Sequence, residues 1–390
     1  MKVVKHKAYR FRIYPNREQE TLLSKHFGCA RFVYNYFLNR RTTQYKETGK
    51  SSNYNKQASE LTALKKEEPT EWLKEVNSQT LQASLKNLDS SFQKFFKKQS
   101  KYPKFHSRKQ KNSFTVPQNA RLEGNKLFLP KFKQGIKCIV HRVVEGKIGK
   151  VTITRTATGK YFVAIFTEQE VSLEVNRTGA VVGIDLGISS LAITSDNEVF
   201  ENNKFTKKYE SALATAQKHL SRKKKGSQRY ERQRLKVALI HEKIANARAD
   251  NLHKVSNRLV QDHDVIFLED LNVKGMVKNR KLAKAISDAS WGKFVLFLTY
   301  KADWQGKSMV KVDRFFASSQ TCNACGVKSP ITKELKVRAW KCPNCGTPLD
   351  RDLNAARNIL DEGIKLSRQG LASTPMERPE DLPSREGKSL

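Results

Sequence analysis

Val181-Val182-Gly183-Ile184-Asp185-Leu186-Gly187-Ile188 is an apolar run that ends on a carboxylate flanked by glycines, and its reading decides the fold. A run of this length and composition predicts a buried strand, Ala180 to Leu186, with a second strand from Leu191 to Ser195. Outward from it lies a long basic helical region, about Lys207 to Asp262, and then another apolar strand, Val265 to Leu268. Strands mixed with long helices give an α/β domain. The second strand run, Val265-Ile266-Phe267-Leu268-Glu269, also closes on an acid. A third acid, Asp352, stands in Leu349-Asp350-Arg351-Asp352-Leu353-Asn354, where a helix begins.

A carboxylate at the polar end of an apolar strand sits at an active-site edge. Three that converge can hold two divalent cations about 3.5 to 4 Å apart, as in-line phosphodiester hydrolysis needs: one activates water and the other stabilises the leaving oxygen. Taken singly, each acid has a plainer reading. Asp185 can be a strand-end turn former, Glu269 with Asp270 a solvated strand end, and Asp352 a helix N-cap. Their order, strand Asp, strand Glu, helix Asp, is that of an RNase H-like nuclease.

Cys322-Asn323-Ala324-Cys325 and Cys342-Pro343-Asn344-Cys345 lie 16 residues apart, each followed by glycine. Two residues between cysteines let both thiolates reach one ion from a tight turn, and four thiolates close a tetrahedral shell around zinc at about 2.3 Å. Such a shell leaves no position for water, so one structural Zn2+ is expected on Cys322, Cys325, Cys342 and Cys345. A redox pair would need a surrounding βαβ pattern that is missing here. Cys29 and Cys138 read as small buried hydrophobes.

Toward the N-terminus, Tyr9, Phe11 and Ile13 alternate with Arg10 and Arg12 as in a strand, and Pro15-Asn16 signals a turn and a helix start. From Glu18 to about Lys98, apolar residues recur at helical spacing, which predicts a bundle of three or four helices. Residues 114 to 170 alternate short β-rich runs with Gly and Pro turns, so a compact antiparallel barrel or sheet is expected. Residues 1 to 14 can pair with it, leaving the helical stretch as an insertion. The tail beyond Ser367 lacks periodicity and is expected to be disordered.

The chain of 390 residues carries 74 Lys+Arg against 38 Asp+Glu, a formal net charge of +36. A polyanion partner is implied, either nucleic acid or an anionic membrane surface. No apolar run approaches the roughly 20 residues of a spanning helix, and the first residues lack a signal-peptide core. A cytoplasmic protein that does not engage membranes is therefore expected. The charge is concentrated. Lys94, Lys97, Lys98, Lys101, Lys104, Arg108, Lys109 and Lys111 interleave with Phe95, Phe96, Tyr102 and Phe105 and with no acid, a nucleic-acid strip. Ser221 to Arg234, with Arg222, Lys223, Lys224 and Lys225 near its start, forms a second basic tract, whose plainer reading is a solvated helix face.

Several stretches together resemble the TnpB family, accessory proteins of bacterial insertion sequences and apparent ancestors of the type V CRISPR effectors. They are Lys7–Gln19, Ala30–Leu38, Tyr102–Lys109, Gly183–Ala192, Phe267–Val273, Ser318–Gly326, Cys342–Gly346 and Asp350–Ile359. The resemblance implies a multidomain α/β plus β-barrel fold. Its parts are a β-barrel wedge domain (1–16 and 112–176), an inserted helical recognition domain (17–111), an RNase H-like RuvC nuclease domain (177–316 and 350–366) and a zinc ribbon (317–349). Residues 367–390 lie outside the likeness. It also implies catalytic acids at Asp185, Glu269 and Asp352, with Asp350 the competing third, two Mg2+ ions, and zinc on the four clustered cysteines. The expected partners are a guide (omega) RNA and a double-stranded DNA target beside a short transposon-adjacent motif. The implied state is a monomer with its RNA, bacterial and nucleoid-associated when on target. A guided repressor and a guide-independent RuvC-type nuclease are the competing activities.

Overall fold

The alternation around Phe11 makes Lys2–Tyr14 a strand, β1, in the computed structural model, which describes residues 2–108, 112–172, 178–334 and 336–369. Two units arise from the chain, Met1–Ser172 and Leu173–Leu390. In the first, β1 leads into the 32-residue helix α1 (Arg17–Thr48), started by a capping box in which Asn16 and Gln19 bond reciprocally to each other's backbone N–H. Helices α2 (Tyr54–Leu64) and α3 (Ser78–Phe96) follow, separated by a 3-10 segment, Glu68–Glu75. Then come β2 (Asn112–Val116), β3 (Arg121–Glu123), β4 (Lys126–Phe128), β5 (Ile136–Ile139), β6 (Lys147–Arg155) and β7 (Tyr161–Ser172). The β6–β7 hairpin turns at Gly159, at φ 81°.

These strands form one antiparallel sheet in the order β2-β6-β7-β1-β5-β4-β3. β1 pairs with β7 from Lys2 to Ile13 but with β5 only through Arg12, Ile13 and Tyr14. Of the barrel or sheet expected of residues 1–16 and 112–176, the structure gives a half-barrel sheet, in which among the described residues β2 and β3 end the sheet and do not pair with each other. Its concave core gathers Tyr9, Phe11, Ile13, Phe114, Leu127, Ile136, Cys138, Val151, Val163 and Ile165, and Leu23, Phe27 and Ala30 of α1 plug it. A helix fills the gap that further strands would have closed. The other half of α1 packs with α2 and α3 around Phe37, Leu38, Leu81, Leu85 and Leu88.

The second unit holds β8 (Val181–Asp185), β9 (Ser190–Thr194), β10 (Val199–Glu201), α4 (Phe205–Lys208), α5 (Glu210–Ser221) and α6 (Gln228–Asp262). Next are β11 (Val265–Glu269), α7 (Val273–Met276), α8 (Ala283–Ala289), α9 (Trp291–Trp304) and β12 (Ser308–Val312). It ends with β13 (Ala339–Lys341), β14 (Pro348–Asp350) and α10 (Arg351–Arg368). The sheet order is β10-β9-β8-β11-β12, with β8, β11 and β12 parallel and β9 and β10 antiparallel.

Both faces of this sheet are covered, and period-2 geometry assigns its residues to them. Val182, Ile184, Ile266 and Leu268 pack with residues of α6, α8 and α9. On the opposite face, Val265, Phe267, Val310 and Val312 pack with Ile359 and Leu360 of α10. That helix runs to Arg368, two residues beyond the expected end, and buries Ser367. Residues 370–390 of the expected tail lie outside the described residues.

Candidate active site and nucleic-acid interface

Asp185 and Glu269 end neighbouring parallel strands. The register pairs Gly183 with Phe267 and Ile184 with Leu268, so the two acids follow side by side. Asp185 shares a face with Gly183, and Glu269 with Phe267, which is the face covered by α10. The helix comes very close. A Cβ on Gly183 would meet the Ala356 carbonyl oxygen at 2.2 Å, and one on Gly363 would meet the Phe267 ring at 2.1 Å. These glycines let the helix lie directly on β8 and β11, with Asp352 in its first turn toward the strand ends.

Asp185 lies near enough to Glu269 and Asp352 to feel their charges. Burial pushes the Asp185 carboxyl up to about 7, the charges of Glu269 and Asp352 push the same way, and Arg351 and Arg338 oppose them. Glu269 is also raised by burial, against the hydrogen bond that the Ser318 hydroxyl donates to its Oε1. Asp352 accepts two bonds from Arg338 Nη1, at 2.9 and 2.7 Å. Two half-buried carboxylates raised from their usual range, with the charge of a third acid felt at Asp185, are short of positive charge. That donor set fits hard divalent cations, which oxygen ligands bind.

The neighbouring acids are occupied elsewhere. Asp350 is the N-cap of α10, where its Oδ1 accepts from the backbone N–H groups of Asp352 and Leu353 at 3.0 and 2.8 Å. The capping role open for Asp352 thus falls to Asp350. Asp270 is held by Lys311 and Arg314, and the Lys311 bond is the largest cause of its carboxyl lying below the usual range.

The four cysteines come from two matching turns. One lies within the Thr321–Lys328 bridge, the other between β13 and β14. In each, the glycine after the second cysteine donates back to the first cysteine's carbonyl, with Gly326 at φ 75° and Gly346 at φ 72°. Cys322 and Cys345 sulfurs are 3.7 Å apart, those of Cys325 and Cys342 3.6 Å, and all four lie within 4.8 Å of one another. Sulfurs on a tetrahedron at zinc–thiolate bond length are separated by about 3.8 Å, so the cluster has the size of a zinc shell.

The ribbon is fastened to α10. Asn358 of α10 donates to the carbonyls of Ser318 and Thr321, at 2.7 and 2.6 Å. Asn354 donates to Thr321 O and accepts from the Asn323 N–H. Asn323 in turn donates to Asn358 and Asp361. Sequence reading missed Arg338 and Ser318 as site residues. Arg338 is one exposed cation among many, while Ser318 touches Glu269 across 49 positions that no periodicity connects.

Lys94, Lys97, Lys98, Lys101, Lys104 and Arg108 are all exposed, and Lys109 and Lys111 fall outside the described residues. Lys97 caps α3, and Lys98 reverses the chain at φ 57°. The following segment docks on α1: His106 stacks on Tyr34 at 3.8 Å, Asn35 bonds both backbone polar groups of His106, and Tyr102 shares a hydrogen bond with Thr42. Phe96, Tyr102 and Phe105 keep substantial exposure, whereas Tyr9 and Phe11 are core. Arg222, Lys223, Lys224 and Lys225 are exposed in the turn between α5 and α6, at a hairpin tip, while Arg229, Arg232 and Arg234 of the same tract are exposed on α6. Cys29 and Cys138 are buried, and burial pushes both thiols up to about 11. Among the described residues no helix is long and apolar enough to cross a membrane.

Comparison with known proteins places the chain in a family. Residues 164–280 match the IS605 OrfB model, "Probable transposase", and residues 291–359 match "Cas12f1-like, TNB domain". Residues 1–50 match "Helix-turn-helix domain", although here they form β1 and the single helix α1. A solved Cas12f1 chain, from a complex with sgRNA and target DNA, shares the fold at TM-score 0.56 and 12% identity, over 92% of this chain and 98% of that one. A mimivirus relative, "TnpB-like protein L79", is 26% identical over 60% of this chain and 48% of its own length. The Escherichia coli K12 relative, "Putative RNA-guided DNA endonuclease InsQ", is 34% identical over 91% of this chain and 92% of its own. A Streptomyces pristinaespiralis protein, "Putative RNA-guided DNA endonuclease", is 39% identical over 98% of this chain and 94% of that one. Similarity on that scale takes in the acid-bearing sheet, α10 and the cysteine ribbon together, and the chain belongs to the TnpB family of insertion-sequence proteins.

Proposed function

We propose that the protein is an RNA-guided DNA endonuclease whose nuclease centre is Asp185, Glu269 and Asp352. The observation that carries this reading is that Asp185 and Glu269 end neighbouring strands on the face where α10, with Asp352 in its first turn, packs close on β8. The full-length relatives described as RNA-guided DNA endonucleases support the guided activity. Asp185, Glu269 and Asp352 would hold two Mg2+ ions, which when bound activate water and stabilise the leaving oxygen. Ser318 orients the Glu269 carboxylate by its hydrogen bond. Arg338 puts a guanidinium beside Asp352, where a phosphodiester also needs positive charge.

In this reading the half-barrel with β1 is the wedge domain, 1–16 and 112–176, and α1 to α3 with the following basic strip form the recognition domain, 17–111. Residues 177–316 and 350–366 are the RNase H-like nuclease domain, and 317–349 are the zinc ribbon. Guide RNA and its heteroduplex with target DNA are gripped by phosphate contacts, while base pairing reads sequence. The test is to sequence the RNA that copurifies with the protein, replace its 3′ segment with a chosen guide, and supply matching duplex DNA with Mg2+. Cleavage that follows the new guide is expected, and Asp185→Ala should bind without cutting. Cleavage indifferent to the guide, or unchanged in Asp185→Ala, overturns the reading.

A further inference from the structure

Phe315 is 87% exposed, the highest figure among the large apolar side chains of the described residues. It sits in the five-residue loop 313–317, between β12 and the first cysteine turn. Both ends of that loop meet the same place. Val312, just before it, is the register partner of Glu269 across β11 and β12. Ser318, just after it, donates its hydroxyl to the Glu269 carboxylate. Phe315 is three residues from each anchor, so its backbone lies within about 11 Å of Val312, the strand neighbour of Glu269.

The loop is also firmly held. Arg314 is ion-paired to Asp270, the residue after Glu269. The Phe315 N–H donates to the Asp313 carboxylate at 2.8 Å, and the Phe316 N–H to the Asp313 carbonyl at 3.1 Å. Phe316 turns inward and packs with Phe267 and Ile359. Asn358 grips the Ser318 carbonyl from α10. One phenylalanine of the pair thus pins the loop, while the other is presented to solvent by a backbone that has little freedom left to lose. Hydrophobic burial gives no reason for that placement. Large rigid apolar rings held open beside cationic residues are what sequence-tolerant binding of unpaired bases uses, since every base offers a π-face.

We propose that Phe315 is a stacking platform for a base of the single DNA strand that enters the acid cluster. The proposal rests on the nuclease reading for the identity of that strand. A duplex buries its base faces in its own stack, so only an unwound strand can use such a ring. With Phe315 fixed relative to Glu269 by Val312 and Ser318, stacking would set which phosphate of the strand stands over the carboxylates. Phe315 is then a positioning residue for the scissile bond and takes no part in proton or metal chemistry.

The experiment uses the full chain with its copurified RNA in an Asp185→Ala background, which removes cutting from the measurement. A single-stranded DNA oligonucleotide carrying 2-aminopurine reports stacking by loss of its fluorescence. Quenching is expected with Phe315 and with Phe315→Trp. Phe315→Ala and Phe315→Leu should lose it and bind the oligonucleotide about tenfold more weakly, with guide-RNA affinity unchanged. In the cutting-competent chain, Phe315→Ala should raise KM for a single-stranded substrate and shift the position of the cut, and Phe315→Trp should restore both. Leucine performing as well as phenylalanine, or alanine quenching like the parent, overturns the proposal. So does a loss of RNA affinity in Phe315→Ala, which would make the guide the partner of the ring. If quenching depends on Phe315 while the parent chain fails to cut with Mg2+, the nuclease reading has failed and the stacking site stands.

Discussion

At Asp185 burial and like charge oppose ionisation, and the consequence is measurable as a dependence of stability on pH. Its carboxyl rises from the usual 3.8 to about 7 in the folded protein, so between those values the native state holds a proton that the unfolded chain has released. A raised carboxylate favours the fold at low pH and loses that contribution as pH climbs from about 4 to about 7. With the zinc retained and no other divalent cation in the buffer, the thermal midpoint should be lower at pH 8 than at pH 6. Adding Mg2+ at pH 8 should recover it, because the ion supplies the missing charge. Asp185→Asn should show neither the pH loss nor the Mg2+ recovery. Equal Mg2+ stabilisation of Asp185→Asn and the parent would mean that the ion binds elsewhere. The same scale separates Asp350 from Asp352, whose carboxylates begin one helix. Asp350 caps α10, so Asp350→Ala should cost about 1 kcal/mol in urea unfolding and still cut DNA. Asp352→Ala should stop cutting. A reversed outcome would move the third ligand to Asp350.

Helix α10 is the element that carries Asp352, and the fit of Gly183 beneath it sets the helix height. The Ala356 carbonyl that a Gly183 side chain would strike is backbone, so it cannot rotate away. Gly183→Ala should therefore destabilise by roughly 1 to 3 kcal/mol, as overpacking does, and lower cleavage further than stability alone explains because Asp352 is lifted from its partners. Urea unfolding read beside single-turnover cleavage tests this, and parent-like values for both would show that the helix yields freely. The cysteine ribbon is tied to the same helix through Asn323, Asn354 and Asn358. Cys342→Ser should thus lose bound zinc, expected at one equivalent by metal analysis, and lose nuclease activity with it. Full zinc in Cys342→Ser would exclude the four-sulfur shell. Much of this was legible in sequence: strand runs ending on acids, and cysteine spacing that follows from local turn geometry. Barrel closure was not, since alternation marks a strand but leaves unstated how far β1 runs against β5. Arg338 and Ser318 were silent because their contacts to Asp352 and Glu269 depend on how the ribbon folds back on the sheet.

For the whole molecule the governing quantity is the net charge of +36, which must be spread over exposed residues and works mainly through released counterions. Lys97, Lys98, Lys101 and Lys104 stand on a segment fastened to α1 by Tyr102 and His106, so their positions are set before any nucleic acid arrives. A fixed basic strip loses less freedom on binding than a loose tail does. Each phosphate that it neutralises should contribute about 0.7 to 0.9 to the slope of log affinity against log salt, depending on strand form. Replacing the four lysines together with glutamine should flatten the slope for RNA binding by about three and weaken binding most at low salt. The fold should persist, because all four side chains are exposed. Replacing Arg222, Lys223, Lys224 and Lys225 at the α5–α6 tip provides an independent measurement of the same kind. If the strip contacts phosphates, its variant flattens the slope while the thermal midpoint stays at the parent value. Should slope and affinity both remain unchanged, Lys97 to Lys104 form a solvated surface, and the charge that holds the RNA lies elsewhere on the chain.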